Sequence, residues 1–183
     1  MSDIDHRRYW EDGFTFDTYL EEEVEENEDL WTGVYRKHET PGWALERLDE
    51  IGGRWHLIAI TEDWCGDASN TVPVVARLAE DSPRVDLRVV KRDDNTDLMD
   101  RYLTNGSRSI PVVVILDEDF EPVDHWGPRP EELQEFVISE KEKGERPVDE
   151  IYRDTRKWYA RDRGETTLGE LLEKIESAAA VEA

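Results

Sequence analysis

Cysteine is nearly absent from this chain of 183 residues: Cys65 is the only one. A single cysteine closes no internal disulfide, so a reducing, cytoplasmic setting is expected. Long apolar runs are missing too. The longest aliphatic run, IPVVVIL at 110–116, is far too short to span a bilayer. The opening MSDIDHRRYW lacks the apolar stretch of a secretory signal. Lysine is scarce, with 6 against 17 arginines, and the 23 basic residues face 46 acidic ones, a net charge of −23. A field this negative repels phosphate backbones and anionic lipid, so neither nucleic acid nor a membrane surface is an expected partner. No glycine-rich phosphate loop is present. The histidines, His6, His38, His56 and His125, do not pair at ligand spacing with one another or with Cys65. No metal or cofactor is expected.

What is abundant is acid. One block stands out, EEEVEENED at 21–29, and an interaction tail would concentrate its charge in such a block. The excess instead runs through every segment. That spread suits a folded, halophilic protein kept soluble in concentrated salt, where self-repulsion is screened. The carboxylate pair Glu62-Asp63 could do acid–base work, but in so acidic a chain such pairs arise by chance.

The length allows one domain with a proper core. Residues 14–39 set aromatic and aliphatic side chains among acids at roughly helical spacing, with a break expected near Asn27. TPGWALERLDEIGG (40–53) predicts a helix capped by Thr40, with Pro41 in its first turn and Gly52-Gly53 as its stop. WHLIAIT (55–61) is a near-continuous apolar run, as in a buried strand. CGDASNTVPVVARLAE (65–80) predicts a helix with Pro73 inside it. VDLRVV (85–90) predicts a strand and NTDLMDRYLTNG (95–106) a capped helix with a glycine stop. PVVVILD (111–117) and EPVDHW (121–126) read as hairpin strands. Helices are expected at 129–144, 147–162 and 166–178, followed by a fraying SAAAVEA. From residue 55 this order gives an α/β fold with a mixed four-stranded sheet and helices on both faces. His56 and His125 fall on strands and read as structural. The aromatics at 9, 10, 14, 16, 19, 31 and 35 read as packing N-terminal helices onto that sheet.

The chemistry concentrates in DWCGDASN (63–70). A buried strand delivers the chain to Cys65 and a helix starts there, so unpaired N–H groups and the helix dipole should stabilise a thiolate. Trp64 can wall the sulfur, and Gly66 lets a partner's backbone come close. Asp67 opposes, because a nearby negative charge disfavours the thiolate. Partial activation of the thiol is the expectation. Two readings are open: Cys65 as a small buried hydrophobe, or as an accessible group at a strand's carboxyl end, where open α/β sheets bind ligands. Its polar neighbours favour the second. Pro73 should cost its helix one backbone hydrogen bond, and a cis Ile110–Pro111 bond would aim the Ile110 backbone at the cysteine.

With WCG after a buried strand, Pro73 inside the following helix, SIPVVVILD and HWG, the sequence resembles the thioredoxin superfamily. More narrowly, EDWCGDASNTVPVVARLAE, RDDNTDLMDRYLTNGSRSIPVVVILDED and WGPRP are similar to a bacterial group of thioredoxin family proteins with a Trp-Cys-Gly-Asp-Ala site and helical additions at both ends. The resemblance implies a thioredoxin-like three-layer core at 54–144, an N-terminal helical extension at 1–53 and a C-terminal one at 145–183, in one compact domain. It implies Cys65 as the nucleophile that attacks a disulfide, with Trp64, Gly66, Asp67, Ile110 and Pro111 at the substrate. Partners would be protein or small-molecule thiols and disulfides. The departures are pointed. Ala68 replaces the resolving cysteine, Gly66-Asp67 the usual Gly-Pro, and Ala59 the buried carboxylate. A mixed disulfide could then be released only by an outside thiol, such as a low-molecular-weight thiol, in a monothiol cycle. The competing expectation is a non-catalytic module that keeps the fold as a binding or chaperone-like surface.

Overall fold

A computed structural model describes residues 3–182. Its centre is a four-stranded sheet in the order β2-β1-β3-β4. The strands are β1 (Trp55–Thr61), β2 (Val85–Lys91), β3 (Val112–Leu116) and β4 (Pro122–Trp126). Every residue of β1 and β3 is buried, so side chains pointing to either side of these central strands are covered. That is why both read as unbroken apolar runs rather than alternating ones. β4 lies at an edge, is mostly half-exposed or exposed, and tolerates Pro122 at its start.

β1 pairs parallel with β2, from Trp55 opposite Val85 to Thr61 opposite Lys91. β3 returns on the other side of β1 and runs antiparallel to it, with His56 opposite Leu116 and Ile60 opposite Val112. A strand-helix-strand unit favours parallel neighbours; β1 and β2 are such a pair, whereas β2 and β3 are not neighbours. β3 and β4 form the expected antiparallel hairpin. At the β2 edge, the Phe14 and Val89 backbones exchange two hydrogen bonds of 2.9 and 2.8 Å. The N-terminal segment thereby covers part of an otherwise open strand edge.

Before the sheet come α1 (His6–Asp12), α2 (Phe16–Thr18), a π-helical turn (Tyr19–Glu23), α3 (Glu28–Lys37) and α4 (Gly42–Ile51). The break at Asn27 is a left-handed residue, φ 58°. α4 starts one residue later than expected: Pro41 stands at its N-cap and Thr40 does not cap it, its hydroxyl being buried without a partner. Gly52 and Gly53 end it with φ of 75° and 73°, which side chains with a Cβ rarely adopt.

α5 (Gly66–Asp81) follows β1 and runs through Pro73, and α6 (Thr96–Met99) follows β2. The predicted helix over 95–106 is therefore cut to one turn. The physical reason is Asn105-Gly106: both residues have positive φ, and Thr104 and Ser107 exchange two backbone hydrogen bonds of 2.9 Å around them. This is a two-residue hairpin turn, the conformation that Asn-Gly favours, and not a helix stop. Arg108 folds back onto Asp100 through two hydrogen bonds.

The C-terminal part holds α7 (Glu131–Lys143), α8 (Val148–Asp162) and α9 (Glu165–Glu182). The tail expected to fray is helical to Glu182, and Ala178 and Ala179 pack against the core; Ala183 lies outside the described residues. Alanine's helix propensity and a surface to pack on together extend the helix. One hydrophobic cluster joins Tyr19, Trp31 and Leu48 to the β1 and β3 side chains and to Leu168, Leu171, Leu172 and Ile175 of α9. Both terminal regions thus contribute to the core that supports β1 and α5.

Candidate functional site

β1 ends at Thr61, and the chain turns through Glu62, Asp63 and Trp64 into α5. Cys65 is the N-cap residue of that helix, with φ −79° and ψ 114°. Its sulfur occupies the place of a capping oxygen and accepts a hydrogen bond from the Ala68 N–H at 3.5 Å. The Cys65 thiol donates to the Ile110 carbonyl at 3.4 Å. The Ile110–Pro111 peptide bond is cis, as is Gly127–Pro128. So Cys65 meets Ile110, 45 residues further along the chain, and Pro111 beside it.

The N-terminal region holds the turn from outside. The Asp63 carboxylate accepts from the Glu25 and Glu26 N–H groups at 2.9 and 2.7 Å. The Asp63 carbonyl accepts from Trp31 Nε1 at 2.9 Å, and Trp31 is wholly buried. Part of the acidic block at 21–29 is therefore wrapped around the site through its own backbone donors. Glu62, the other member of the carboxylate pair, is buried and accepts from the Asp93 N–H at 2.9 Å. Burial pushes its carboxyl above the usual range. The two neighbouring acids thus anchor two different loops.

The expectation of a partly activated thiol is corrected here. Cys65 is only 8% exposed. Burial pushes its thiol from an ordinary 9.0 up to about 11. The Ala68 N–H acts in the opposite direction and the Asp67 charge adds to the rise. Helix-end stabilisation is present, but loss of water around the sulfur outweighs it. Beside the buried sulfur, Trp64 is 44% exposed, with the Arg92 guanidinium 5.0 Å from its ring centroid. Gly66 is exposed and has open space where a Cβ would stand.

The Asp67 side chain is largely covered. Its carboxylate is engaged on both oxygens, by the Tyr159 hydroxyl at 2.8 Å and by Arg129 Nη2 at 2.8 Å. Arg129 comes from the loop after β4 and Tyr159 from α8. Neither stands out in the sequence: Arg129 lies inside WGPRP, and Tyr159 is one aromatic among several on a polar helix. Ala68 is completely buried, and Ala59 is buried in β1 with no carboxylate in its place. His56 stacks on Phe120 with ring centroids 4.0 Å apart, and the Tyr102 ring meets His125 edge-on. A groove of about 600 Å³ opens elsewhere, between β4, the start of α7 and α9. Arg129 lines it and Cys65 does not.

Among the described residues, no group of three or more His, Cys, Asp or Glu side chains is placed to hold a metal ion. Nor is any helix among them long and apolar enough to cross a membrane.

Comparison with known proteins agrees with this architecture. None of the curated proteins matches the chain. Among solved structures, an HIV epitope-scaffold is 19% identical with a TM-score of 0.74, the alignment covering 95% of this chain and 99% of that one. A protein of unknown function from Pseudomonas aeruginosa is 21% identical, also with a TM-score of 0.74, covering 97% of this chain and 99% of that one. Both show the same fold: a mixed α/β sheet with added helices. A thioredoxin from Fasciola hepatica is 27% identical over 45% of this chain and 75% of its own, with a TM-score of 0.35. A family model described as thioredoxin matches residues 13–143. With well over half of its length matched, the chain belongs to the thioredoxin family.

Proposed function

We propose that this protein carries out thiol–disulfide exchange through Cys65 alone. The observation that carries the reading is the placement of the only sulfhydryl at the tip of α5, hydrogen-bonded to the Ile110 carbonyl beside Pro111. The Cys65 thiolate attacks one sulfur of a substrate disulfide. The old S–S bond breaks, the leaving sulfur departs as a thiolate, and a Cys65–substrate disulfide forms. Since Ala68 stands where a second thiol would be, an external thiol must attack that mixed disulfide. It forms a new disulfide with the substrate sulfur and returns Cys65 as a thiolate. Exposed Trp64 and Gly66 flank the approach, and the Ile110 carbonyl is positioned to exchange its thiol partner for a partner's backbone N–H.

The raised thiol favours a second reading, a non-catalytic module whose surface binds partners. With a pKa near 11, only about one sulfur in ten thousand is thiolate at neutral pH. The two separate cleanly. Under exchange, purified protein with an added small thiol reduces a model disulfide, Cys65→Ser abolishes it, and mass spectrometry of Cys65 from cells finds a thiol adduct or trapped partner. Under the module reading, Cys65→Ser keeps its partners and no turnover appears with wild type.

The same proposal includes a reducing, cytoplasmic location and a salt-rich interior. One cysteine supports the first, and a net charge of −23 with few lysines the second. It includes the division at 54 and 144 into a core and two helical extensions. Stability that rises steeply with potassium chloride would support the salt assignment; a flat response would remove it.

A further inference from the structure

Asp67 is the site's least expected residue, because a carboxylate two positions from a nucleophilic sulfur works against the thiolate. The structure compensates. The Asp67 and Arg129 side chains are 13% and 14% exposed, and a largely covered carboxylate facing a largely covered guanidinium has much of its charge offset. Tyr159, itself buried, donates its hydroxyl to the remaining oxygen. Arg129 is held in turn by Gln134 at 2.7 Å. Three elements distant in sequence, α5, the loop after β4 and α8, therefore converge on one carboxylate.

We propose that Arg129 and Tyr159 are positioning residues for the Cys65 reaction: they pin Asp67 and offset its charge, so that it suppresses thiolate formation at the neighbouring sulfur less than a free carboxylate would. This rests on the reading that Cys65 is the reacting atom. Tyr19 of the π-helical turn also lies near the sulfur, and Cys65 opposes its ionisation; Glu62 and Asp63 precede Cys65 in the turn. Glu62 and Asp63 are occupied by backbone N–H groups, and Tyr19 is held neutral by burial. That leaves the Asp67–Arg129 pair as the opposed charges acting on Cys65: the carboxylate raises its pKa and the guanidinium lowers it.

The test is the rate of Cys65 alkylation by iodoacetamide against pH, measured on the full chain, where a single cysteine makes the readout unambiguous. Folding of each variant is checked by circular dichroism. Arg129→Gln should move the profile to higher pH and slow alkylation about five- to tenfold at a fixed pH below the midpoint. Arg129→Lys should recover most of that loss. Tyr159→Phe should move the profile the same way by less. Asp67→Asn should move it to lower pH, and the double variant should return close to wild type. Opposite signs for the two single charge changes are what a merely structural clamp would not produce. If Arg129→Gln does not fold, the double variant compared with Asp67→Asn alone carries the test: it should alkylate more slowly. Equal rates there, or shifts of one sign throughout, would overturn the proposal. Alkylation needs no disulfide turnover, so a failed exchange assay leaves this result standing, and the reverse holds too.

Discussion

Gly127 stands against the Pro111 carbonyl so closely that a Cβ on it would lie 2.2 Å from that oxygen. Its φ of 119° is also one that other residues rarely adopt. The loop after β4 is thus seated directly on the Pro111–Val112 peptide, one residue beyond Ile110, and Ile110 accepts the hydrogen bond from Cys65.

Gly127→Ala should therefore destabilise by about 2 kcal/mol or more, combining backbone strain with a clash that only movement of Pro111 relieves. The change should also speed Cys65 alkylation, because the Ile110 carbonyl moves with Pro111. Urea unfolding and thiol labelling of the same sample check both effects. An unchanged unfolding midpoint would mean that the loop relaxes freely.

Stability should peak between the histidine range and the thiol range. Burial lowers the pKa values of His6, His38, His56 and His125 below their ordinary 6.5. The unfolded chain then binds protons first, so stability present above 6.5 is lost as pH falls. For Cys65 the folded value is the higher one. Stability is complete below 9.0 and is lost as pH rises toward 11. Urea midpoints across pH should trace this plateau, and Cys65→Ala should remove the first part of the alkaline fall. Tyr19 and Tyr159, also raised by burial above their ordinary 10.0, add a steeper fall that starts at that pH and continues upward.

Trp31 links the N-terminal region to the site through its bond to the Asp63 carbonyl. Trp31→Ala should cost about 3–5 kcal/mol through the cavity it leaves. Trp31→Phe keeps most of the volume and should cost about 1–2 kcal/mol, since the Asp63 carbonyl keeps only its weaker 3.3 Å bond from Asn27. Thermal melts of both variants test the order.

Ala68→Cys should confer dithiol reductase activity on insulin. The Ala68 N–H already touches the Cys65 sulfur at 3.5 Å, so the added thiol begins one helical turn from it. An insulin turbidity assay with dithiothreitol reads the gain. A folded variant that forms no disulfide between positions 65 and 68 on oxidation would argue that the burial over Cys65 also blocks exchange.

Much of the frame was legible because apolar patterning is local. WHLIAIT and PVVVILD announce buried strands, and Gly52-Gly53 announces a helix end. The site was legible in part, because Trp64, Cys65, Ile110 and Pro111 fall in recognisable stretches. Sequence reasoning fails where one local signal has two uses. Asn105-Gly106 can stop a helix or turn a hairpin, and the choice was made by the Arg108–Asp100 fold-back and the Thr104–Ser107 pairing. Thr40 can cap a helix, but Pro41 took the position.

The amino-acid order by itself determined the sheet-forming segments, the lone thiol at a helix start and the absence of a partner thiol at position 68. Only the tertiary structure decided how reactive that thiol is. Desolvation depends on what the fold brings around an atom, and Ile110, Arg129, Tyr159 and Tyr19, all remote in the chain, come near Cys65. The pairing of Asp67 with Arg129 and Tyr159 is a meeting of three segments, and no local pattern encodes it.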